Sequence, residues 1–280
     1  MLFKKIKAII KFCRLGDMLL VVPYSGAAAF LASDGAPELL KLVCLILAVI
    51  SGHALGNAFN SVMDKDIDAI NPRTQDRPLV KKELSKKQAI AIIAVCFLIL
   101  IGATALINPF YVLLLPIPAA VTLGYSVCKR ISWLGHVVLG IAHAVCPVGG
   151  WIVFSGSFTD PRAVAFGAFV FFWTVSVDML YSMQDLEYDK KMGARTIPVV
   201  FGKKVTYAVS VISHILSELV LVLCILVMDC SLPFMIISAA AELLLITQYA
   251  LIIKDEKNAR HAFNFNQSFS VLIFIASIFN

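Results

Sequence analysis

Nine stretches of the chain, approximately 18–33, 39–59, 88–107, 109–127, 133–155, 163–183, 205–228, 231–253 and 264–279, are apolar and close to the length that crosses a bilayer as a helix. In hydrocarbon the backbone finds no water, so each stretch must satisfy its own N–H and C=O groups as a helix. The expected fold class is therefore all-α, a multi-pass membrane protein of about nine transmembrane helices. The first and last stretches are short, which leaves eight as the alternative count. Only 15% of the residues are charged and 60% are hydrophobic, against about 25% charged in soluble domains. The apolar stretches run the whole length, which excludes a lone anchor on a soluble domain. Residues 1–280 read as one transmembrane domain. The start, MLFKKIKAIIKFCRLGD (1–17), reads as a basic amphipathic helix in the membrane interface, with no small-residue cleavage site of a signal peptide.

Charge placement tests the count. With the N-terminus in the cytoplasm and one crossing per stretch, the cytoplasmic side holds residues 1–17 and loops 60–87, 128–132, 184–204 and 254–263. These carry five, seven, two, five and three Lys or Arg, which is 22 of the 24 in the chain. Only Lys41 and Arg162 fall on the other side. Such an asymmetry sets orientation. The net charge of +6 thus reports topology and attraction to anionic lipid, and it gives no reason to expect a nucleic acid partner.

Polar residues at the ends of two stretches do not fit a purely structural role. NAFNSVMDKDIDAINPRTQDRPL (57–79) places Asn60, Asp64 and Asp68 four residues apart. If the helix continues, each step of four turns the side chain about 40°, so all three share a face, while Asp66 points elsewhere. DMLYSMQDLEYDKKMGARTIPVVFG (178–202) repeats the spacing: Asp178, Tyr181, Asp185 and Asp189 form one stripe. Each stripe precedes a basic, Pro-containing loop, which hints at an internal duplication. Carboxylates at helix ends are often ordinary interfacial residues. Asp178, however, lies inside an apolar stretch, where an ionisable group is costly and usually functional.

Four carboxylates on one concave face repel each other unless cations lie between them. An oxygen-only set suits Mg²⁺, which keeps waters and bridges to substrate phosphates. Arg73, Arg77, Lys129 and Arg130 lie on the same membrane face as further phosphate donors. The combination describes a diphosphate site, and the membrane setting suggests a lipid tail on the diphosphate. The seven cysteines are scattered without C-x-x-C spacing and read as buried small hydrophobes. His136 and His143, seven apart, read as hydrogen-bonded core histidines.

These residues resemble the UbiA-like superfamily of intramembrane polyprenyltransferases. The first motif, N-x-x-x-D-x-x-x-D, matches at Asn60, Asp64 and Asp68, with Ser61 where the fuller motif has another Asp. The second, D-x-x-Y-x-x-x-D-x-x-x-D, matches at Asp178, Tyr181, Asp185 and Asp189. GYSVCKR (124–130) is similar to the Y-x-x-x-K element at Tyr125 and Lys129. LGIAHAVCPVGGWIVFSGSF (139–158), YSMQDLEYD, IPVVFG and ARHAFNFNQSFSVLIF (259–274) resemble the 4-hydroxybenzoate polyprenyltransferase branch, which includes menaquinone-pathway relatives. The resemblance implies helices around a central cavity and Mg²⁺-dependent transfer of a prenyl group from a polyprenyl diphosphate to an aromatic acceptor, in ubiquinone or menaquinone biosynthesis. It implies that Asp64, Asp68, Asp185 and Asp189 bind the metal. Asn60, Arg73, Arg77 and Lys129 would hold phosphates or orient the acceptor, with Arg130 beside them. Tyr125 and Tyr181 would stabilise an allylic cation, and Asp178 or the released diphosphate would take the ring proton.

Other readings share these features. The acceptor alternatives are dihydroxynaphthoate or the lipid and haem acceptors of the same superfamily. A transporter using paired aspartates belongs to a different class, but its site would sit near the midplane on broken helices. The expected location is a bacterial or archaeal inner membrane, with the active site facing the cytoplasm.

Overall fold

The computed structural model describes residues 2–254 and 259–280, and in them every regular element is helical. The order is α1 (Leu2–Phe12), a 3₁₀ segment at Leu15–Leu20, α2 (Val22–Ala32), α3 (Leu39–Met63), α4 (Lys65–Ile70), α5 (Lys86–Ile107), α6 (Pro109–Val112) and α7 (Pro116–Ile131). It continues with α8 (Gly135–Ser155), α9 (Pro161–Ser182), a 3₁₀ turn at Met183–Asp185, α10 (Leu186–Lys191), α11 (Ile197–Val227), α12 (Leu232–Lys254) and α13 (Ala259–Ile278). Among the described residues, eight helical segments are long and apolar enough to span a membrane. The apolar part of α13, Asn264–Ile278, is shorter. The chain is a multi-pass integral membrane protein.

Local chemistry explains the boundaries. Ser85 and Gln88 close a capping box at the start of α5, where Gln88 N–H donates to Ser85 Oγ at 3.2 Å and Ser85 N–H to Gln88 Oε1 at 2.9 Å. Pro109, Pro116 and Pro161 each occupy a first helical turn, where the missing N–H costs nothing. The stretch expected as one helix over 109–127 is broken after Val112, and α7 restarts at Pro116 because proline cannot continue the preceding ladder. α11 begins eight residues before the apolar stretch 205–228 and kinks at Gly202, whose φ of 79° suits only glycine.

α3, α5, α7, α8 and α9 enclose one side of the bundle. α2 packs between α3, α8 and α13, and α11 packs along α9. Close helix approach rests on small residues, as is usual in lipid. A Cβ on Gly150 of α8 would lie 3.0 Å from Ser25 O of α2, and one on Gly56 of α3 only 2.5 Å from Thr122 Cγ2 of α7. The core joins Tyr24, Trp151, Phe166, Phe169, Trp173 and Phe269. Leu98, Leu106, Leu113, Val164, Leu226 and Leu243 point outward, as lipid-facing positions must. α1 exposes Phe3, Ile6, Ile9 and Ile10 while burying Ala8 and Phe12.

Candidate active site

A cavity of about 1340 Å³ opens between α3, α5, α7, α8 and α9. Leu45, Val49, Leu100, Leu114, Val148 and Ile152 line its apolar part. Its polar part is built where α3 meets α4 and where α9 meets α10, the two places the acidic motifs occupy.

At the first junction the helix bends without losing its ladder. Asp64 takes φ −87° and ψ 2°, yet its N–H donates to Asn60 O at 2.8 Å and Asp68 N–H to Asp64 O at 2.8 Å. Asn60, Asp64 and Asp68 therefore stay on one face, all line the cavity, and Asp64 and Asp68 are each only 5% exposed. Asp66 is exposed, as the spacing requires. The second junction repeats the device: Asp185 takes φ −98° and ψ 0° between the 3₁₀ turn and α10, and Asp178, Tyr181, Asp185 and Asp189 all face the cavity.

Three hydrogen bonds, from two residue pairs, fasten the junctions together across 112 and 121 residues of sequence. Arg73 donates from Nε to Asp185 Oδ1 at 2.8 Å and from Nη2 to Asp185 Oδ2 at 2.5 Å. Tyr188 O–H donates to Ile67 O at 2.8 Å. Arg77 pairs with Asp68, and Thr196 Oγ1 donates to Asp189 Oδ2 at 3.4 Å. The cations thus sit between the acidic groups, and each motif is partly neutralised by the loop after the first. The Arg73 guanidinium also lies 5.7 Å from the centre of the Tyr181 ring, within cation–π range. Tyr125 lines the cavity, in the electrostatic field of Asp178, Asp64, Arg14 and Arg73. Lys129 and Arg130 lie on α7, but their side chains are outside the described residues.

The structure adds groups that the motifs do not contain. His136 is buried and hydrogen-bonded, as expected of a core histidine, but its partner is the cavity carboxylate Asp178, 2.6 Å from Nδ1 to Oδ2. His136 Nε2 is shielded from solvent and has no hydrogen-bond partner among the described residues. His143 lines the same cavity and lies 3.2 Å from Thr174 Oγ1 through Nδ1. Two histidines therefore share the cavity with the carboxylates. Arg14 also lines the cavity. It stands in the left-handed region, φ 47°, at the turn joining α1 to the first span. Burial, and then the charge of Arg77, hold its guanidinium below the usual arginine range. The only advance sign of Arg14 was its position at the end of the basic arm.

The sequence profile of the UbiA prenyltransferase family matches residues 20–278. This chain belongs to that family. A 4-hydroxybenzoate solanesyltransferase of Synechocystis sp. is 32% identical over 196 residues, which is 70% of this chain. A 4-hydroxybenzoate octaprenyltransferase of Shewanella putrefaciens is 30% identical over 201 residues, 68% of this chain. The matches span 66% and 65% of those relatives' own lengths. Among solved structures, the apo form of a UbiA homologue from Aeropyrum pernix superposes with a TM-score of 0.85 at 26% identity, covering 94% of this chain and 97% of that one. A UbiA homologue from Archaeoglobus fulgidus bound to GPP and Mg²⁺ shares the fold, with a TM-score of 0.70 at 18% identity over 96% and 99% of the two chains.

Within the family, the departure at Ser61 has a structural reading. Its hydroxyl is buried and donates to Asn57 O of its own helix at 2.8 Å, and Ser61 does not line the cavity. The remaining donor set fits Mg²⁺. Asp64, Asp68, Asp185 and Asp189 offer carboxylate oxygens only, all onto one cavity, and hard oxygen donors are what this ion selects.

Proposed function

We propose that this chain transfers a polyprenyl group from a polyprenyl diphosphate to the ring of 4-hydroxybenzoate, a step in quinone biosynthesis. One observation carries the reading. Two acidic junctions, interleaved with Arg73 and Arg77, meet on an apolar cavity of about 1340 Å³ in a membrane protein. The acidic and basic part suits a diphosphate, and the apolar part suits its hydrocarbon tail. The relatives named for 4-hydroxybenzoate support that acceptor.

In this reading Asp64, Asp68, Asp185 and Asp189 hold Mg²⁺, which when bound stabilises the negative charge that develops on the departing diphosphate. Arg73 and Arg77 donate to phosphate oxygens, and their forks are already oriented by Asp185 and Asp68. Asn60 adds an amide donor, and Lys129 and Arg130 further positive charge. The apolar walls keep water from the allylic cation, while the faces of Tyr181 and Tyr125 stabilise it. Arg14 takes the acceptor carboxylate. The ring attacks and must lose a proton. Asp178 holds His136 with Nδ1–H toward itself, which leaves the Nε2 lone pair free to accept that proton. The basic residues at the same membrane face support a site that faces the cytoplasm of a bacterial or archaeal cell, and the exposed apolar residues of α1 support an interfacial position for that helix.

The test is mass spectrometry of membranes given a polyprenyl diphosphate with 4-hydroxybenzoate and dihydroxynaphthoate in equal amounts. The expected product is prenylated 4-hydroxybenzoate, dependent on Mg²⁺ and absent with Asp64→Ala. Predominant prenylation of the naphthoate would overturn the acceptor. No adduct on either ring would overturn the reaction.

A further inference from the structure

A second polar cluster lies outside the cavity. His214 and Glu218 stand four apart on α11, and Glu242 faces them from α12. None of the three lines the cavity. His214 is 12 residues beyond the Gly202 kink, about 18 Å along the helix at 1.5 Å per residue. That distance separates the cluster from the aspartate junctions and leaves its three side chains partly buried between α11 and α12. One ligand atom from each residue lies within 4.8 Å of the others, and His214 Nε2 is 2.7 Å from Glu242 Oε1.

Glu218 Oε1 and Glu242 Oε2 are both shielded from solvent and have no hydrogen-bond partner among the described residues. The Tyr24 hydroxyl, in a side chain 0% exposed, also has none, and both carboxylates act on it electrostatically. Buried polar atoms without partners are costly, and two carboxylates inside a membrane bundle are costlier still. Hydrogen bonding from His214 serves Glu242, and the Glu218 and Glu242 carboxyl groups lie within hydrogen-bonding reach of each other, so the pair needs a cation or a proton between them.

We infer that His214, Glu218 and Glu242 form an intramembrane site for a divalent first-row transition metal ion. One imidazole nitrogen and two carboxylates on a divalent cation sum to zero charge, which is the state a low-dielectric interior favours. The mixed nitrogen and oxygen set suits zinc, manganese or iron rather than magnesium. Three protein ligands leave a further position for water. A His and a Glu four apart on one helix present their donors on the same side, and Glu242 closes the set from the neighbouring helix. The ion would cross-link α11 to α12, two consecutive helices held together at this level by polar side chains: His214 to Glu242, and Tyr249 to Ser210 at 2.8 Å. This inference does not depend on the proposed reaction.

The experiment uses the full-length protein in detergent with excess Mg²⁺ and no added substrate. Zn²⁺ is added, unbound ion is removed, and retained zinc is measured by elemental mass spectrometry alongside thermal melting. Co²⁺ in place of Zn²⁺ gives a visible ligand-field spectrum. The expected result is one equivalent of zinc retained, a raised melting temperature, and Co²⁺ bands in the wild type. The Asp64→Asn/Asp185→Asn variant should behave the same. Affinity should fall by about 100-fold or more in Glu218→Gln and in Glu242→Gln, since even outer-shell changes cost 10–100-fold. Zinc retention unchanged in both glutamine variants, or lost in the aspartate variant instead, would overturn the site. So would a Co²⁺ spectrum without ligand-field bands in the wild type, a measurement that needs no variant to fold. If protons rather than a metal neutralise the carboxylates, Zn²⁺ leaves the wild-type melting temperature unmoved, and the inference fails.

Discussion

Arg73→Ala separates the structural from the chemical contribution of the arginine between the two acidic junctions. In the free protein Arg73 makes a two-pronged pair with Asp185, and the two side chains are 34% and 18% exposed. A pair open to solvent to this extent contributes roughly 0.5–1 kcal/mol to folding, so the thermal midpoint should move little. The effect on the reaction should be larger. A preorganised donor aimed at charge that develops in the transition state is worth about 3 kcal/mol, or roughly 10²–10³ in kcat. Lysine at this position keeps the charge but loses the fork and the ring contact with Tyr181, so Arg73→Lys should recover only part of the loss. The assay is steady-state prenyl transfer in detergent at saturating Mg²⁺, with melting curves on the same samples. If Arg73→Ala lowers the melting temperature markedly while kcat/KM stays within about threefold, the arginine is only a structural tie. The proposed contact with the diphosphate is then wrong. Full activity in Arg73→Lys would refute the argument from fork geometry.

Other outcomes follow from single contacts. His136→Gln should lower kcat by about 10²-fold or more with a small change in KM, because only the proton-accepting step loses its base; an unchanged kcat in stopped single-turnover measurements would return that role to Asp178 or the diphosphate. Asp160 lies outside the membrane spans, where bonds from Arg162 first, and then from Trp151 Nε1 at 3.0 Å, lower its carboxyl pKa to about 2. A lowered folded-state pKa stabilises above the unfolded value near 3.9 and is lost as pH falls toward 2. With Arg162 45% exposed, screening leaves roughly 1 kcal/mol. Asp160→Asn should therefore lower the melting temperature at neutral pH and flatten its decline between about pH 4 and 2. Gly150→Leu should prevent α8 from seating on α2, since even a Cβ there meets Ser25 O at 3.0 Å; wild-type melting and yield would contradict that packing.

Much of the candidate site's geometry was readable because helices impose a fixed period. Asn60, Asp64 and Asp68, four apart, had to share a face if the ladder held, and it holds through the bend at Asp64. Asp66 had to leave that face, and it does. The contacts that cross between elements had no such rule. His136 and Asp178 are 42 residues apart, Arg73 and Asp185 112, and Tyr188 and Ile67 121. No local period links such pairs, so the sequence reading could not join them. Arg14 was hidden for a related reason. A basic amphipathic arm has an interfacial role ready to hand, and only the packing of Phe12 and Cys13 beside α3 turns the next residue toward the cavity.

The amino-acid sequence alone settled the material of the fold, because apolar runs of this length can only be helices in a bilayer. It also set the acidic motifs at the same helix ends as the loops that hold most of the Lys and Arg. Only the tertiary structure decided which charges meet. It set Arg73 against Asp185, gave His136 to Asp178, and left Glu218 and Glu242 facing each other within the bundle. The physical reason is range: helical propensity and hydropathy act over a few turns, whereas an ion pair across the bundle exists only after the helices have packed.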